Sequence, residues 1–281
     1  MQNSSRILDL HLFADDSNLF YADKSLPTLE STVNQELAKV HDLLCANKLS
    51  LNIEKSSFVI LHPPQKKLDY EVTITLMDKV PQHEQKFTYL GVIFDLHLNW
   101  KAHISYLVKK LNRNIGALCK LRHFVNINIL VNLYYSLIDP FFTYGIITWG
   151  NTYNYTINPL FALQKKAIRI ITFSNNNKHT NPIYTKLKTL KLYDVIYFHN
   201  ALFMYDYHSA NLPSISDSSF IKVSQRHNYN TRLALKSSFS LPQIRTNYGK
   251  LNIRFTGPKV WNSVDEKTKI LSKSMFKKEL K

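Results

Sequence analysis

Cysteine is nearly absent: Cys45 and Cys119 are the only two in 281 residues, and no pairing pattern joins them. That excludes a disulfide-stapled secreted domain and points to a reduced, intracellular setting, nuclear or cytoplasmic alike. The N-terminus MQNSSRILDL lacks the basic start and long apolar run of a signal peptide. The eleven histidines show no His-Glu-x-x-His spacing and no Cys-x-x-Cys partner, so a zinc site of familiar type is excluded. No internal repeat is visible, and the low-complexity content is one polar patch, Ser174 to Asn181. Long uninterrupted apolar runs are missing too. The most apolar window, Asn128 to Gly150, is broken by Asp139-Pro140 and contains Asn132. It reads as an aromatic-rich buried helix and turn, with no membrane partner implied.

Acidic residues are scarce in one part of the chain only. Residues 1–100 hold 9 basic and 13 acidic side chains, whereas residues 101–281 hold 27 basic and 7 acidic. A carboxylate-bearing first third followed by a strongly basic remainder is the pattern of a metal or catalytic portion joined to a polyanion-binding portion. A basic surface kept for solubility alone is the other reading. The stretch His123 to Gln164 has no Lys or Arg at all but many Tyr and Phe, which fits a helical core better than a base-stacking platform.

What is present begins with LHLFADDSNLF, Leu10 to Phe20, where Asp15 and Asp16 stand at the turn of an expected hairpin. Neighbouring side chains on a strand point to opposite faces, so both can reach one metal only where the backbone bends. A hairpin tip supplies that bend. An exposed Asp-Asp turn without function has the same appearance. An EF-hand loop is excluded, because no alternating oxygen ligands and no Gly follow. Beyond the hairpin, Pro27 opens a helix with Leu29, Val33, Leu37, Val40 and Leu44 on one face. Three extended runs follow, Ser56 to Leu61, Glu71 to Met77 and Phe87 to Phe94, and together they predict a small sheet with a covering helix. After Trp100 the period becomes helical. Ile104, Leu107, Val108, Leu111, Ile115, Leu118 and Leu121 form a stripe, and Lys101, Lys109, Lys110, Arg113, Lys120 and Arg122 occupy the remaining surface. Further helices are expected over Ile127 to Ile138 and Pro159 to Ile171. Ser174 to Asn181 is an expected boundary, and Ser209 to Ser219 an expected linker.

LHLFADDSNLFY resembles the catalytic hairpin of reverse transcriptases from non-LTR retrotransposons of the jockey type. The likeness continues in family order. NKLSLNIEKSSFVIL, with Asn52 and Lys55, resembles the next palm motif, and FTYLGVIFDLHLNWKAHI resembles the motif at the palm–thumb junction. LQKKAIRIIT and RFTGPKVWNSV are similar to segments found downstream.

The resemblance implies an α+β fold: a partial polymerase palm over residues 1–100, a helical thumb-like region over 101–175, and a basic C-terminal region of unknown role over 176–281. The implied parent activity is RNA-directed DNA polymerisation, with Mg2+, a dNTP, an RNA template and a DNA primer or RNA–DNA hybrid. By the same resemblance Asp15 is a direct ligand of the catalytic cations, Asp16 a supporting carboxylate, and Lys55 a proton donor or charge stabiliser near the leaving pyrophosphate. Tyr89, Leu90 and Gly91 fit a hairpin supporting the primer end, and the basic helix fits the phosphates of a duplex. His227 to Arg232 is a further segment that could meet nucleic acid.

One required group is not found. The family's other metal-binding aspartate lies upstream of the hairpin, and only fourteen residues precede Asp15. Asp9 sits six residues earlier on the same strand and cannot replace it. The expectation is therefore a C-terminal portion of a polymerase, inactive alone. A non-catalytic nucleic-acid-binding module derived from such an element is the alternative.

Overall fold

The computed structural model describes residues 7–13, 16–77, 79–213, 219–226 and 238–281. Asp15 and the segment His227 to Arg232 lie outside the described residues. The chain forms two compact units, Met1–Leu98 and Asn99–Lys281.

The first unit opens with strands β1 (Asp9–Phe13) and β2 (Asp16–Phe20), paired antiparallel from Asp9↔Phe20 to Phe13↔Asp16. Helix α1 (Leu26–Ala46) follows, with Pro27 in its first turn and the Ser25 hydroxyl accepting the Thr28 N–H. Both are strong start signals, since a helix leaves its first N–H groups unpaired and Pro has none to lose. The apolar stripe of α1 closes a core in which Leu37, Val72, Ile74 and Leu76 are buried, with Leu19, Leu29, Val33, Ile53 and Phe58 packed against them. Strands β3 (Ser57–Phe58) and β4 (Gln82–His83) pair in parallel, and β5 (Lys86–Tyr89) and β6 (Val92–Asp95) form a second antiparallel hairpin.

Among the described residues three two-stranded sheets thus stand where one small sheet was expected. The segment 71–77 explains the difference. Its alternation is that of a strand, with Val72, Ile74 and Leu76 turned inward. Yet its backbone is paired by side chains of α1 instead of by a neighbouring strand. Thr73 N–H donates to Glu30 at 3.0 Å, Asn34 donates to the Thr73 carbonyl at 3.0 Å, and Thr75 N–H donates to Asn34 at 2.9 Å. Once those groups are satisfied, nothing requires a ladder there.

The second unit is helical. It runs through α2 (Lys101–Leu121), α3 (Ile127–Leu137), α4 (Asp139–Thr143), α5 (Ile146–Trp149), α6 (Asn154–Ile171), α7 (Asn181–Leu187) and α8 (Leu192–His208), then the short turn Val223–Arg226 and the helices Ile253–Ser263, Glu266–Lys269 and Lys273–Glu279. Helix α2 buries Ile104, Leu107, Leu111, Ile115 and Leu118, and its main partner is α6. The expected break at Asp139-Pro140 is real: α3 ends at Leu137 and α4 starts at Asp139. Among the described residues no helix is long and apolar enough to cross a membrane.

Under α3, α6 and α7 lies one fully buried amide. Gln164 donates to the Tyr134 hydroxyl and the Leu190 carbonyl, and accepts the Tyr184 hydroxyl and the Leu192 N–H, at 2.8–3.0 Å. All four hydrogen-bonding positions of the amide are used, which makes its burial affordable. A second apolar cluster gathers Ala201, Met204, Phe220, Phe239, Trp261, Val264 and Phe276.

Candidate functional site

The β1–β2 register decides what the acidic hairpin presents. Directly opposed residues share a face of the ribbon, so Leu10, Leu12, Ser17 and Leu19 lie on one side, while Asp9, His11, Phe13, Asp16, Asn18 and Phe20 lie on the other. Leu19 packs onto the core, so the first side faces it at that end, while Leu12 and Ser17 nearer the tip are exposed. Asp16 is exposed, opposite Phe13 at the last pair, and the two residues 14 and 15 connect the strands outside the described residues. Asp9 shares the face of Asp16 but stands at the other end of the ladder, about 13 Å away at the rise of a strand. It therefore cannot join Asp16 on one cation. Among the described residues no group of three or more His, Cys, Asp or Glu could hold a metal ion. The described carboxylates alone do not fit the Mg2+ that the resemblance implies.

Lys55 ends a 3-10 turn, Ile53–Lys55. Asn52 caps that turn by accepting the Lys55 N–H, and the Ser56 hydroxyl donates to the Asn52 carbonyl at 3.0 Å. Ile53 is packed on the core, so the turn is anchored on one side while Lys55 is exposed. Among the described residues neither Asp16 nor Lys55 belongs to an ion pair.

Tyr89 pairs with Val92, leaving Leu90-Gly91 as a two-residue hairpin loop. Both have positive φ, 47° and 77°, the pattern of a type I′ turn. Gly91 accepts this freely and Leu90 does not, because a Cβ crowds the left-handed region. The Phe87 and Phe94 rings stack across the strands with centroids 5.1 Å apart. The hairpin is present as expected, and Gly91 serves its turn.

On α2, Lys101, Lys109, Arg113 and Lys120 are exposed and Lys110 half-buried, as is Arg122 at its C-terminal cap. With 3.6 residues per turn, Lys109, Arg113, Gly116 and Lys120 lie along the line opposite the buried stripe. A Cβ on Gly116 would meet nothing within 4 Å, so that line is clear. Lys110 lies over the Tyr106 ring at 5.5 Å and Arg122 over the Phe173 ring at 4.2 Å. The sequence between Asp95 and Asp139 has no acidic residue, and among the described residues no ion pair involves α2. The structure thus keeps Asp16, Lys55, Tyr89 and Gly91 in the first unit and the basic helix in the second.

Comparison with known proteins gives this arrangement a context. Over 185 residues, 65% of the chain, it is 24% identical to the RNA-directed DNA polymerase from mobile element jockey of Drosophila melanogaster, of which the match covers 20%. Over 130 residues, 44% of the chain, it is 27% identical to the polymerase of the same name from Drosophila funebris, covering 14% of that protein. No protein family's model matches the chain, and no solved structure matches it. The class to which the chain is similar is therefore that of RNA-directed DNA polymerases. Within that class the likeness is to jockey-type non-LTR reverse transcriptases, in agreement with the sequence motifs. The chain spans about a fifth of the length of the first of these relatives.

Proposed function

We propose that this chain is the part of an RNA-directed DNA polymerase running from the catalytic hairpin of the palm through the thumb. The observation that carries the reading is an antiparallel hairpin whose second strand starts at Asp16, the second aspartate of the Ala14-Asp15-Asp16 motif, in a chain similar to jockey polymerases. In the parent reaction a primer 3′-hydroxyl attacks the α-phosphate of a dNTP on an RNA template. Asp15 and Asp16 would supply part of a Mg2+ site, which a carboxylate from outside these residues would complete; bound there, the cations would neutralise charge at the reacting phosphate. Lys55, on its capped turn, faces the charge developing on the pyrophosphate. Tyr89 and Gly91 support the primer end, and the outward line of α2 follows the duplex backbone without reading sequence.

Primer extension tests this directly. The 281-residue polypeptide alone is expected to incorporate no dNTP, because one hairpin reaches the cations from only one side and phosphoryl transfer depends on positioning. A chimaera joining the preceding palm of a jockey polymerase to residue 1 is expected to extend a primer, and Asp15→Asn is expected to abolish that. Incorporation by the 281 residues alone, lost on Asp15→Asn, would place the second carboxylate within them and overturn this account.

A second reading, a binding module without chemistry, draws on the basic charge of residues 101–281, 27 basic against 7 acidic side chains. A chimaera that binds hybrid tightly yet extends no primer would decide for it.

A further inference from the structure

Helix α6 ends in a way that ordinarily calls for glycine. Phe173 N–H donates to the Ile170 carbonyl and Ser174 N–H to the Arg169 carbonyl, the two hydrogen bonds of a Schellman cap. The residue between them takes a left-handed conformation, and here it is Phe173 with φ 52°. Lys48 and Ala210 follow helices in the same conformation, so the strained cap alone says little. Phe173 differs in what it displays. Phe173 as a residue is 51% exposed, in a unit with ample apolar core.

The surroundings of that ring are specific. The Arg122 guanidinium lies over it at 4.2 Å, and the His123 ring meets it edge-on at 6.2 Å. Arg122 Nε is buried with no hydrogen-bond partner among the described residues, so the stacked geometry is not set by a hydrogen bond at that atom. Phe124, two residues beyond Arg122, is 83% exposed. The segment after Phe173 is pinned, since Arg169 donates twice to the Lys178 carbonyl and the Thr172 and Ser174 hydroxyls bond at 2.9 Å. The ring is held in place, with a cation on it and the residue half exposed. The sequence flanking it carries charge of one sign: neither residues 96–138 nor residues 140–193 contain an Asp or Glu.

We infer that Phe173, backed by Arg122 and flanked by Phe124, is a stacking platform for an unpaired base of a single-stranded nucleic acid. The part of Phe173 left exposed offers aromatic surface to any base, while Arg122, on an acid-free stretch of sequence, draws the phosphates, so the binding is tolerant of sequence. The inference rests on the nucleic-acid-binding reading above and adds a second kind of contact, separate from the outward line of α2.

The test measures binding of a fluorescent oligo(U) of roughly 12 nucleotides, and of an RNA–DNA hybrid, by anisotropy with the full 281-residue chain. Phe173→Gly relieves the backbone strain, so the variant is expected to melt at a higher temperature than the parent. It is nonetheless expected to bind oligo(U) about tenfold more weakly, with hybrid binding unchanged, while Phe173→Trp retains oligo(U) affinity. Oligo(U) affinity unchanged in Phe173→Gly, with hybrid binding still lost on charge reversal of α2, would overturn the platform and leave the electrostatic reading standing. No binding of either probe by the parent would overturn both. A change in sedimentation alone, with unchanged affinities, would make the patch a contact between copies of the chain and overturn the platform.

Discussion

Asn52 Oδ1 accepts the backbone N–H of Lys55 at 3.3 Å. The two residues singled out in the second palm-like motif are therefore one device, a cap and the turn it closes. Cap loss typically costs about 1 kcal/mol. Asn52→Ala is expected to lower the stability of the first unit by about that amount, read from urea unfolding, and Asn52→Asp to keep most of it. Unchanged stability in the alanine variant would mean that Ile53 packing alone holds the turn.

The outward line of α2 predicts a salt signature. Triple charge reversal of Lys109, Arg113 and Lys120 to Glu is expected to weaken hybrid binding. It is also expected to flatten the slope of log affinity against log salt by about three or more. A binding isotherm of the parent that does not respond to salt would remove the phosphate contacts from the account.

His103 predicts an acid limb to stability. It is buried beside Trp149, with ring centroids 5.5 Å apart, and burial pushes its pKa down from 6.5 to about 4. Between those values the unfolded chain takes up a proton that the folded chain refuses. Stability contributed here is therefore complete above pH 6.5 and is lost as pH falls toward 4. The loss is on the order of 3 kcal/mol. His103→Gln should flatten that limb in urea midpoints measured across pH, and an unaltered limb would assign it to other groups.

Leu90 predicts a gain. Its φ of 47° in a two-residue hairpin loop suits Asn far better than Leu. Leu90→Asn, giving the favoured Asn-Gly pair, is expected to raise stability by about 1 kcal/mol, measured as a shift in thermal midpoint. A fall instead would show that the Leu90 side chain contributes more than the strain costs.

These cases show how far the sequence could be read. The stripes of α1 and α2 were legible because a period near 3.6 survives in any surface helix, and Ser25-Leu26-Pro27 marks a start. The hairpin around Asp16 was legible from its two apolar runs. The fate of 71–77 was not. Alternation shows which side chains turn inward, but nothing local shows that Glu30 and Asn34 would take up its backbone groups. Phe173 was also missed, because an aromatic after a helical pattern looks like core. A large residue where glycine is usual was the available signal.

The chain has only 6 glycines, and among the described residues eight other residues hold positive φ: Lys48, Met77, Leu90, Leu98, Trp100, Phe173, Lys188 and Ala210. None of these corners is favoured by its own residue, so each must be imposed by the packing around it. Such turns cannot act as seeds. The helices form on local preference, whereas the corners between them settle only when their neighbours are already in place. Helix ends and hairpin tips are therefore expected to be among the last parts of each unit to become fixed, which φ-value analysis at Leu90 and Phe173 would check.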